Sequence, residues 1–118
     1  MEHDPRAFLW DVEHAADSIA EFTRGLDAAG YVANPLVRAA VERQFEIIGE
    51  ALNRLSKAAP GLARRVPDLK EIVSFRNVLI HGYATIDHAR VWEISASLLP
   101  GLREIVAALL AELGPPDA

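Results

Sequence analysis

The stretch DLKEIVSFRNVLIHGY, residues 68–83, predicts the helix around which the rest of the chain is organised. Asp68 stands at a suitable N-cap position, and Glu71 follows three residues later, as in a capping box. Apolar residues then recur at helical spacing through the stretch. Gly82 is the natural residue for a left-handed C-cap. We therefore predict a helix over 68–82, after which the chain turns away from the helical path.

The last turns of this helix carry side chains suited to chemistry. Arg76 and His81 are five residues apart, or about 140° around a regular helix, so they do not share a face. Arg76 falls on the apolar stripe, where a lone cation is costly, so it needs a carboxylate such as Glu50 or a crevice open to solvent. Asn77 and His81 are one turn apart and can form a hydrogen bond. Bringing Arg76 and His81 to one pocket requires the turn before Tyr83, or a second copy of the chain.

The composition predicts one soluble domain spanning residues 1–118. Hydrophobic residues make up 51% and charged residues 25% of the chain, which is ordinary for a folded soluble protein. The absence of cysteine excludes disulfides, thiolate chemistry and cysteine–zinc sites. Apolar runs stay short of the roughly 20 residues that span a bilayer, and acidic residues stand where a signal peptide would be basic. We therefore expect a cytoplasmic protein with no membrane partner.

The charge balance limits the kind of nucleic-acid contact that the chain can make. Its formal net charge is −5, from 12 Lys+Arg against 17 Asp+Glu. This argues against a broad basic face, and we expect no DNA partner. A small site with a few well-placed arginines remains open. Arginine supplies nearly all the cations, and its planar guanidinium suits bidentate contact with phosphate or carboxylate.

Hydrophobic periodicity predicts an all-α fold, an antiparallel four-helix-type bundle. The predicted helices span about 5–26, 35–58, 68–82 and 87–113. The segments 27–34 and 59–67 are predicted connections, rich in glycine, proline and polar residues. The apolar residues of the last helix stay in phase across Pro100, so we predict one long helix that is bent there.

Capping residues support three of these helix starts. Asp4-Pro5 and Asn34-Pro35 each place an N-cap residue before a proline at the first helical position. Asp87 stands where it can cap the last helix. The starts of these helices are therefore the best-defined boundaries in the prediction.

Three further positions in the first two helices need an explanation. Gly49 lies inside the second helix, where it costs about 1 kcal/mol relative to alanine, which indicates that another backbone passes close to it. Asp11 and His14 are one turn apart and have metal-ligand chemistry, but a metal site in a bundle needs matching ligands on partner helices. No such ligands are evident, so we favour a structural or solvated role and predict no metal.

The string RNVLIHGY, residues 76–83, resembles the R-x4-6-H motif of HEPN domains, in the R-x4-H-x-Y form of the HepT-like toxins. An arginine and a histidine at this spacing are a weak signal by themselves, whereas the whole string is informative. The segment ERQFEIIGEALNRLS at 42–56 resembles the second helix of that family. The segment VWEISASLLPGLREI at 91–105 resembles its fourth helix, including the proline. The resemblance covers about residues 5–110.

This resemblance implies a metal-independent endoribonuclease toxin that needs no cofactor and acts as a homodimer on RNA. Arg76 and His81 would be catalytic and Asn77 would orient them, with Glu50 as a supporting residue that holds Arg76. The family also implies a partner, an MntA-like nucleotidyltransferase antitoxin of a type II toxin–antitoxin system. That antitoxin would transfer AMP to Tyr83 and so inhibit the toxin.

Two other functions fit the same residues. The chain could be a catalytically silent helical dimer that docks a nucleotidyltransferase or binds its substrate, with a structural arginine bound to a carboxylate and a histidine at a helix end. The acidic balance favours this alternative, whereas the intact motif favours the nuclease. The chain could also be the nucleotide-binding subunit of a two-chain transferase, which thermal stabilisation by ATP would reveal.

Overall fold

The computed structural model describes residues 4–114, and every regular element in that range is helical. The predicted all-α fold is thus confirmed. Four long helical segments form the bundle, and short helices fill the connections between them. The elements are α1 Pro5–Phe22, α2 Ala28–Val32, α3 Pro35–Ala58, α4 Pro60–Ala63, α5 Leu69–His81, a 3-10 turn Tyr83–Thr85, α6 His88–Glu93, a π-helical turn Ile94–Leu98 and α7 Leu99–Leu113.

Helix α3 is the centre of the bundle, because it packs against both α1 and α5. Helix α1 also packs against α7, and polar contacts at both ends show that these two helices are antiparallel. Arg103 Nε donates to Asp17 Oδ1 over 2.8 Å at one end. Arg6 Nη1 reaches the carbonyl oxygen of Gly114 over 3.4 Å at the other. The largest fully buried side chains are Tyr31, Phe45, Leu9, Ile19, Ile48, Leu52, Leu55, Val12, Val41, Val91 and Val106.

Three of the predicted N-caps are confirmed by side-chain hydrogen bonds. Asp4 accepts from the backbone N–H of Arg6 over 2.9 Å, and Asn34 accepts from that of Val37 over 3.1 Å. Asp87 accepts from the backbone N–H of Arg90 over 3.2 Å. Since a capping side chain satisfies an otherwise unpaired helix N–H, these local signals fix where α1, α3 and α6 begin.

The predicted capping box at Asp68 and Glu71 is wrong. Asp68 precedes α5, but its φ of 61° is left-handed and its side chain makes no capping hydrogen bond. An N-cap normally has an extended backbone, which aims its side chain at the first free N–H groups. The left-handed backbone at Asp68 removes that geometry, and α5 begins one residue later than predicted.

The first connection is more ordered than predicted. Helix α1 ends at Phe22 rather than at residue 26, and the chain then turns at Gly25, whose φ is +79°. The predicted connection 27–34 contains the short helix α2, which Asp27 caps by accepting from the N–H of Gly30 over 2.7 Å. The reason for α2 is tertiary: it buries Tyr31 completely, with its ring 5.6 Å from that of Trp92.

The second connection and the last helix each contain an element that the sequence did not predict. The short helix α4 begins at Pro60 inside the predicted connection 59–67. The predicted bend near Pro100 is confirmed, at 44° between the segments His88–Ser97 and Leu99–Leu113. The π-helical turn lies directly before this proline, and the N–H of Leu99 bonds the carbonyl of Ile94 there. A wider turn of this kind accommodates the missing proline N–H and the bend.

Within residues 4–114, no single helix is both long enough and apolar enough to cross a membrane. The bent pair His88–Ser97 and Leu99–Leu113 meets that requirement of length and composition only when its two parts are taken together.

Candidate active site

Arg76 is placed by a close contact between α5 and α3 at Gly49. A Cβ atom built on Gly49 would lie 2.3 Å from Arg76 Cβ and 2.8 Å from its Cγ, which is shorter than any tolerable contact. A close approach at Gly49 is therefore confirmed, but the group that approaches is the aliphatic stem of Arg76 and not the backbone that the sequence indicated. Gly49 lets this stem lie across α3, so that its guanidinium reaches the next residue, Glu50.

The Arg76 guanidinium is held by hydrogen bonds on two of its nitrogens. Nη2 donates to Glu50 Oε2 over 2.7 Å, and Nη1 donates to Asn77 Oδ1 over 3.0 Å. The predicted carboxylate partner of Arg76 is confirmed. The Arg76 side chain keeps 24% of its surface exposed. Since a guanidinium has five N–H donors, N–H groups remain for a ligand that enters from solvent.

Glu50 joins two arginines. Its Oε1 accepts from Arg54 Nε over 2.8 Å, while Oε2 accepts from Arg76. The hydrogen bond from Arg54 and the positive charges of Arg76, Arg54 and Lys57 hold the pKa of Glu50 below its usual range, against the opposing effect of partial burial. The carboxylate is therefore ionised at neutral pH and fixes the position of the Arg76 guanidinium.

These residues line an open cleft of about 400 Å³ between α1, α3 and α5. Arg76 lies at this cleft and not deep in the protein, so its guanidinium is accessible to a ligand. The lining residues are Phe8, Asp11, Arg43, Glu46, Ile47, Glu50, Ala51, Arg54, Arg76 and Ile80. The sequence analysis did not single out Arg43 or Arg54 as site residues. Their spacing from Glu50, seven residues before it and four after it, was the signal that could have found them.

His81 is the last residue of α5, and its side chain is exposed. It is not among the residues that line the cleft, although Ile80 is. A regular helix keeps Arg76 and His81 about 140° apart, so one chain does not direct both side chains into one site. The side-chain oxygen of Asn77, Oδ1, accepts a hydrogen bond from Arg76. Within the described residues, Asn77 makes no hydrogen bond to His81.

The predicted left-handed turn at Gly82 is wrong. Its φ is −109°, and its N–H donates to the carbonyl of Val78 over 2.7 Å. The Gly82 carbonyl then accepts from the N–H of Thr85 over 2.9 Å, which forms the 3-10 turn. The sign of φ does not require glycine at this position. The limited space favours it, because an added Cβ would lie 3.0 Å from the Val78 carbonyl oxygen.

Tyr83 begins that 3-10 turn, two residues after His81. Its backbone is described, but its side chain lies outside the part of the chain that the structure describes. The modification predicted at Tyr83 therefore stays a prediction.

Asp11 and His14 are not brought together with further ligands. Asp11 lines the cleft, whereas the His14 ring packs edge-on against Trp10, with 5.0 Å between ring centroids. Between residues 4 and 114, no three His, Cys, Asp or Glu side chains are grouped so that they could hold a metal ion.

Comparison with known proteins identifies the family. The family model described as "Ribonuclease HepT-like" matches residues 12–109, which include the whole cleft-forming part of α3 and α5. The chain belongs to the HepT-like ribonuclease family. The resemblance of the motif string is thus confirmed, and nuclease activity is a property of the family to which this chain belongs.

Several relatives carry names of the same kind. The protein named "Putative RNase MJ1380" of Methanocaldococcus jannaschii is 36% identical over 105 residues, covering 89% of this chain and 95% of that protein. "Putative RNase TTE0752" of Caldanaerobacter subterraneus is 31% identical, covering 90% of this chain and 94% of its own length. "Probable ribonuclease HepT" of Thermococcus cleftensis is 29% identical, covering 87% and 93%. No solved structure gives a significant match.

Proposed function

We propose that this HepT-like protein is a metal-independent endoribonuclease and the toxin of a type II toxin–antitoxin system. The observation that carries the proposal is the partly exposed guanidinium of Arg76, which Gly49 admits to the cleft and Glu50 holds in place. A fixed guanidinium with free N–H groups can bind the non-bridging oxygens of a phosphodiester. Membership of a ribonuclease family supports RNA as the substrate.

The chemistry needs only groups that the chain and its substrate contain. In RNA cleavage the 2′-hydroxyl attacks the adjacent phosphorus, the bond to the 5′-oxygen breaks, and a 2′,3′-cyclic phosphate remains. One proton leaves the 2′-hydroxyl and one joins the departing 5′-oxygen. The His81 imidazole can carry such a proton at neutral pH. The Arg76 guanidinium stabilises the additional negative charge of the pentacoordinate phosphorus.

A homodimer resolves the separation of the two residues. Because Arg76 and His81 do not share a face of α5, a second copy is proposed to bring its His81 to the cleft that contains Arg76. Each of two faces of α5 carries one exposed apolar side chain. Val78, which is 52% exposed, lies one turn before His81, and Ile80, which is 36% exposed, lies one turn after Arg76. Burying such residues between two copies would be favourable.

Inhibition is proposed to act through Tyr83. A nucleotidyltransferase antitoxin of the MntA-like kind would transfer AMP from ATP to its hydroxyl, which loses its proton as pyrophosphate is released. The added nucleotide brings bulk and negative charge to a position two residues from His81, where the phosphate backbone of RNA must approach. Like-charge repulsion and steric exclusion would then both oppose substrate binding.

A cleavage assay tests the proposed activity. Protein that intact mass shows to be unmodified is incubated with total RNA and excess chelator. We expect cleavage by the wild type and its loss in His81→Ala and Arg76→Ala. His14→Ala is the matched control, because His14 is also exposed on a helix but packs on Trp10 away from the cleft. Absence of cleavage by the unmodified wild type would contradict the proposal.

The silent docking subunit is the second candidate. The net charge of −5, and the presence of Asp11, Glu46 and Glu50 in the cleft beside its arginines, favour it. It predicts that the unmodified protein binds the nucleotidyltransferase but leaves RNA intact, so the same assay distinguishes the two functions.

A further inference from the structure

One face of α3 presents two further arginines to the cleft. Arg43, Ile47, Glu50 and Arg54 all line it, at spacings of four, three and four residues. Residues at these spacings lie in one row along a helix. The row begins and ends with an arginine, and its ends are about 16 Å apart at 1.5 Å per residue.

The Arg76 side chain comes from α5 and meets α3 between the two ends of this row. Its stem crosses α3 at Gly49, six residues after Arg43 and five before Arg54. The end of α5 that carries Ile80 and His81 points towards the Arg43 end of α3, because the segment that follows α5 contacts α3 next to Arg43. That contact is between His88 Nδ1 and Glu42 Oε2, at 3.5 Å. Three arginines therefore line the cleft in the order Arg43, Arg76 and Arg54 along α3, and the end of α5 that carries His81 lies towards Arg43.

The two outer arginines are available to a ligand. The Arg43 side chain is 68% exposed. It pairs with Glu46, three residues later on the same helix, and Arg43 Nη1 lies 3.5 Å from Glu46 Oε1. Such exposed pairs contribute little and exchange readily for a better partner. The Arg54 side chain is 56% exposed and binds Glu50 through Nε, so its terminal nitrogens can reach a second anion.

We propose that Arg43 and Arg54 bind the phosphates on either side of the one that Arg76 contacts, so that a single strand of RNA lies along α3. This rests on the proposed function, which it extends by naming the form of the substrate. The three guanidinium groups span less than the helical rise of about 16 Å between Arg43 and Arg54, because Arg43 leans towards Glu46 and Arg54 towards Glu50, and so they match a few neighbouring phosphates of one strand. One row of cations on one helix follows one backbone, whereas a duplex is bound across two strands and their grooves.

Binding of a non-cleavable probe tests this placement separately from catalysis. The probe is a short 2′-O-methyl RNA of mixed sequence with a fluorescent label, which lacks the attacking hydroxyl, and its affinity is measured at several salt concentrations. For Arg43→Gln we expect about fivefold weaker binding and a plot of log K against log salt that is shallower by about 0.7, the value for one phosphate contact to a single strand. Glu46→Gln, which frees Arg43 and removes a negative charge, should strengthen binding.

Arg24→Gln is the matched control, since Arg24, in the turn after α1, is also highly exposed and pairs with an acid three residues away, but outside the cleft. It should leave the slope unchanged. An equal loss of slope in Arg24→Gln, or an unchanged slope in Arg43→Gln, would overturn the placement even where the wild type cleaves RNA. A wild type that binds the probe with the expected slopes but does not cleave RNA supports the placement and contradicts the nuclease. If the wild type does not bind the probe, the cleft is not an RNA site and the placement is overturned.

Discussion

Gly49 determines where the central guanidinium lies, since only a residue without Cβ leaves space for the stem of Arg76. The carboxylate that binds Arg76 could be predicted from the sequence, because a cation on an apolar stripe requires a carboxylate and Glu50 is next to Gly49. The contact with Asn77 could not, since a side-chain amide next to Arg76 in sequence can take several rotamers.

Gly49→Ala should displace Arg76 and lower both stability and activity. We expect a loss of about 1–3 kcal/mol in the free energy of unfolding, as for other overpacked sites, together with at least a tenfold loss of RNA cleavage. Urea unfolding and the cleavage assay measure the two effects. Gly101→Ala is the control: an added Cβ there meets nothing within 4 Å, and alanine in a helix should raise stability by up to about 1 kcal/mol. Full activity in Gly49→Ala would contradict the role given to this contact.

Tyr31 shows a buried polar atom whose removal should be tolerated. Its side chain is fully buried, its hydroxyl has no hydrogen-bond partner among the described residues, and burial, with a smaller effect from the Glu42 charge, raises its pKa to about 12. Tyr31→Phe should therefore leave the free energy of unfolding unchanged or raise it by up to about 1 kcal/mol. Tyr31→Ala should lower it by about 3–5 kcal/mol, because the ring that packs on Trp92 is lost. A clear destabilisation in Tyr31→Phe would mean that the hydroxyl is bonded in solution.

At the scale of elements, local signals were sufficient wherever the cause of the structure is local. Asp4, Asn34 and Asp87 cap the helices that they were predicted to cap, because a cap needs only its own first turn. Helix α2 was missed because its cause is distant: it is stabilised by burying Tyr31 against Trp92. The prediction of an Asp68 cap failed because Asp68 has a left-handed backbone, which the capping pattern does not reveal.

The contact between α1 and α7 makes a prediction about pH. The hydrogen bond from Arg103, followed by its positive charge, holds the pKa of Asp17 below its usual range despite slight burial. Because the pKa is lower in the folded than in the unfolded protein, this contact stabilises the fold fully above the unfolded value of about 3.9 and is lost as the pH falls through the folded value. The Tm difference between wild type and Arg103→Gln should therefore shrink as the pH falls from 6 towards about 3.

Arg90→Gln is the control for this series, since Arg90 pairs with Glu93 on its own helix and joins no two helices. It should change Tm little at any pH. A Tm difference for Arg103→Gln that stays constant, or grows on acidification, would show that Arg103 stabilises the bundle by packing rather than through the Asp17 carboxylate.

For the whole molecule, α3 connects fold and site. It contacts α1 and α5 on two sides, and the space left between those helices is the cleft. The family and the all-α class could be predicted because the motif string and the helical periodicity extend through most of the chain. The cleft itself could not be predicted, since it depends on how closely two helices cross at one glycine.

The arrangement of one protomer leads to the proposal of a shared site. The regular path of α5 as far as His81 leaves Arg76 and His81 on different faces, and the 3-10 turn that follows Gly82 comes after both residues. We therefore propose that a catalytic pair acting on one phosphate combines Arg76 of one copy with His81 of another.

Mixing two inactive variants tests this account most directly. Arg76→Ala and His81→Ala dimers are combined under conditions that exchange subunits, and RNA cleavage is measured with the unmixed variants as controls. A mixed dimer has one of its two sites with both residues intact. Random exchange of equal amounts makes about half of the dimers mixed, so it should restore about a quarter of the wild-type rate. If subunit exchange is confirmed and the mixture stays as inactive as its components, the shared site is contradicted.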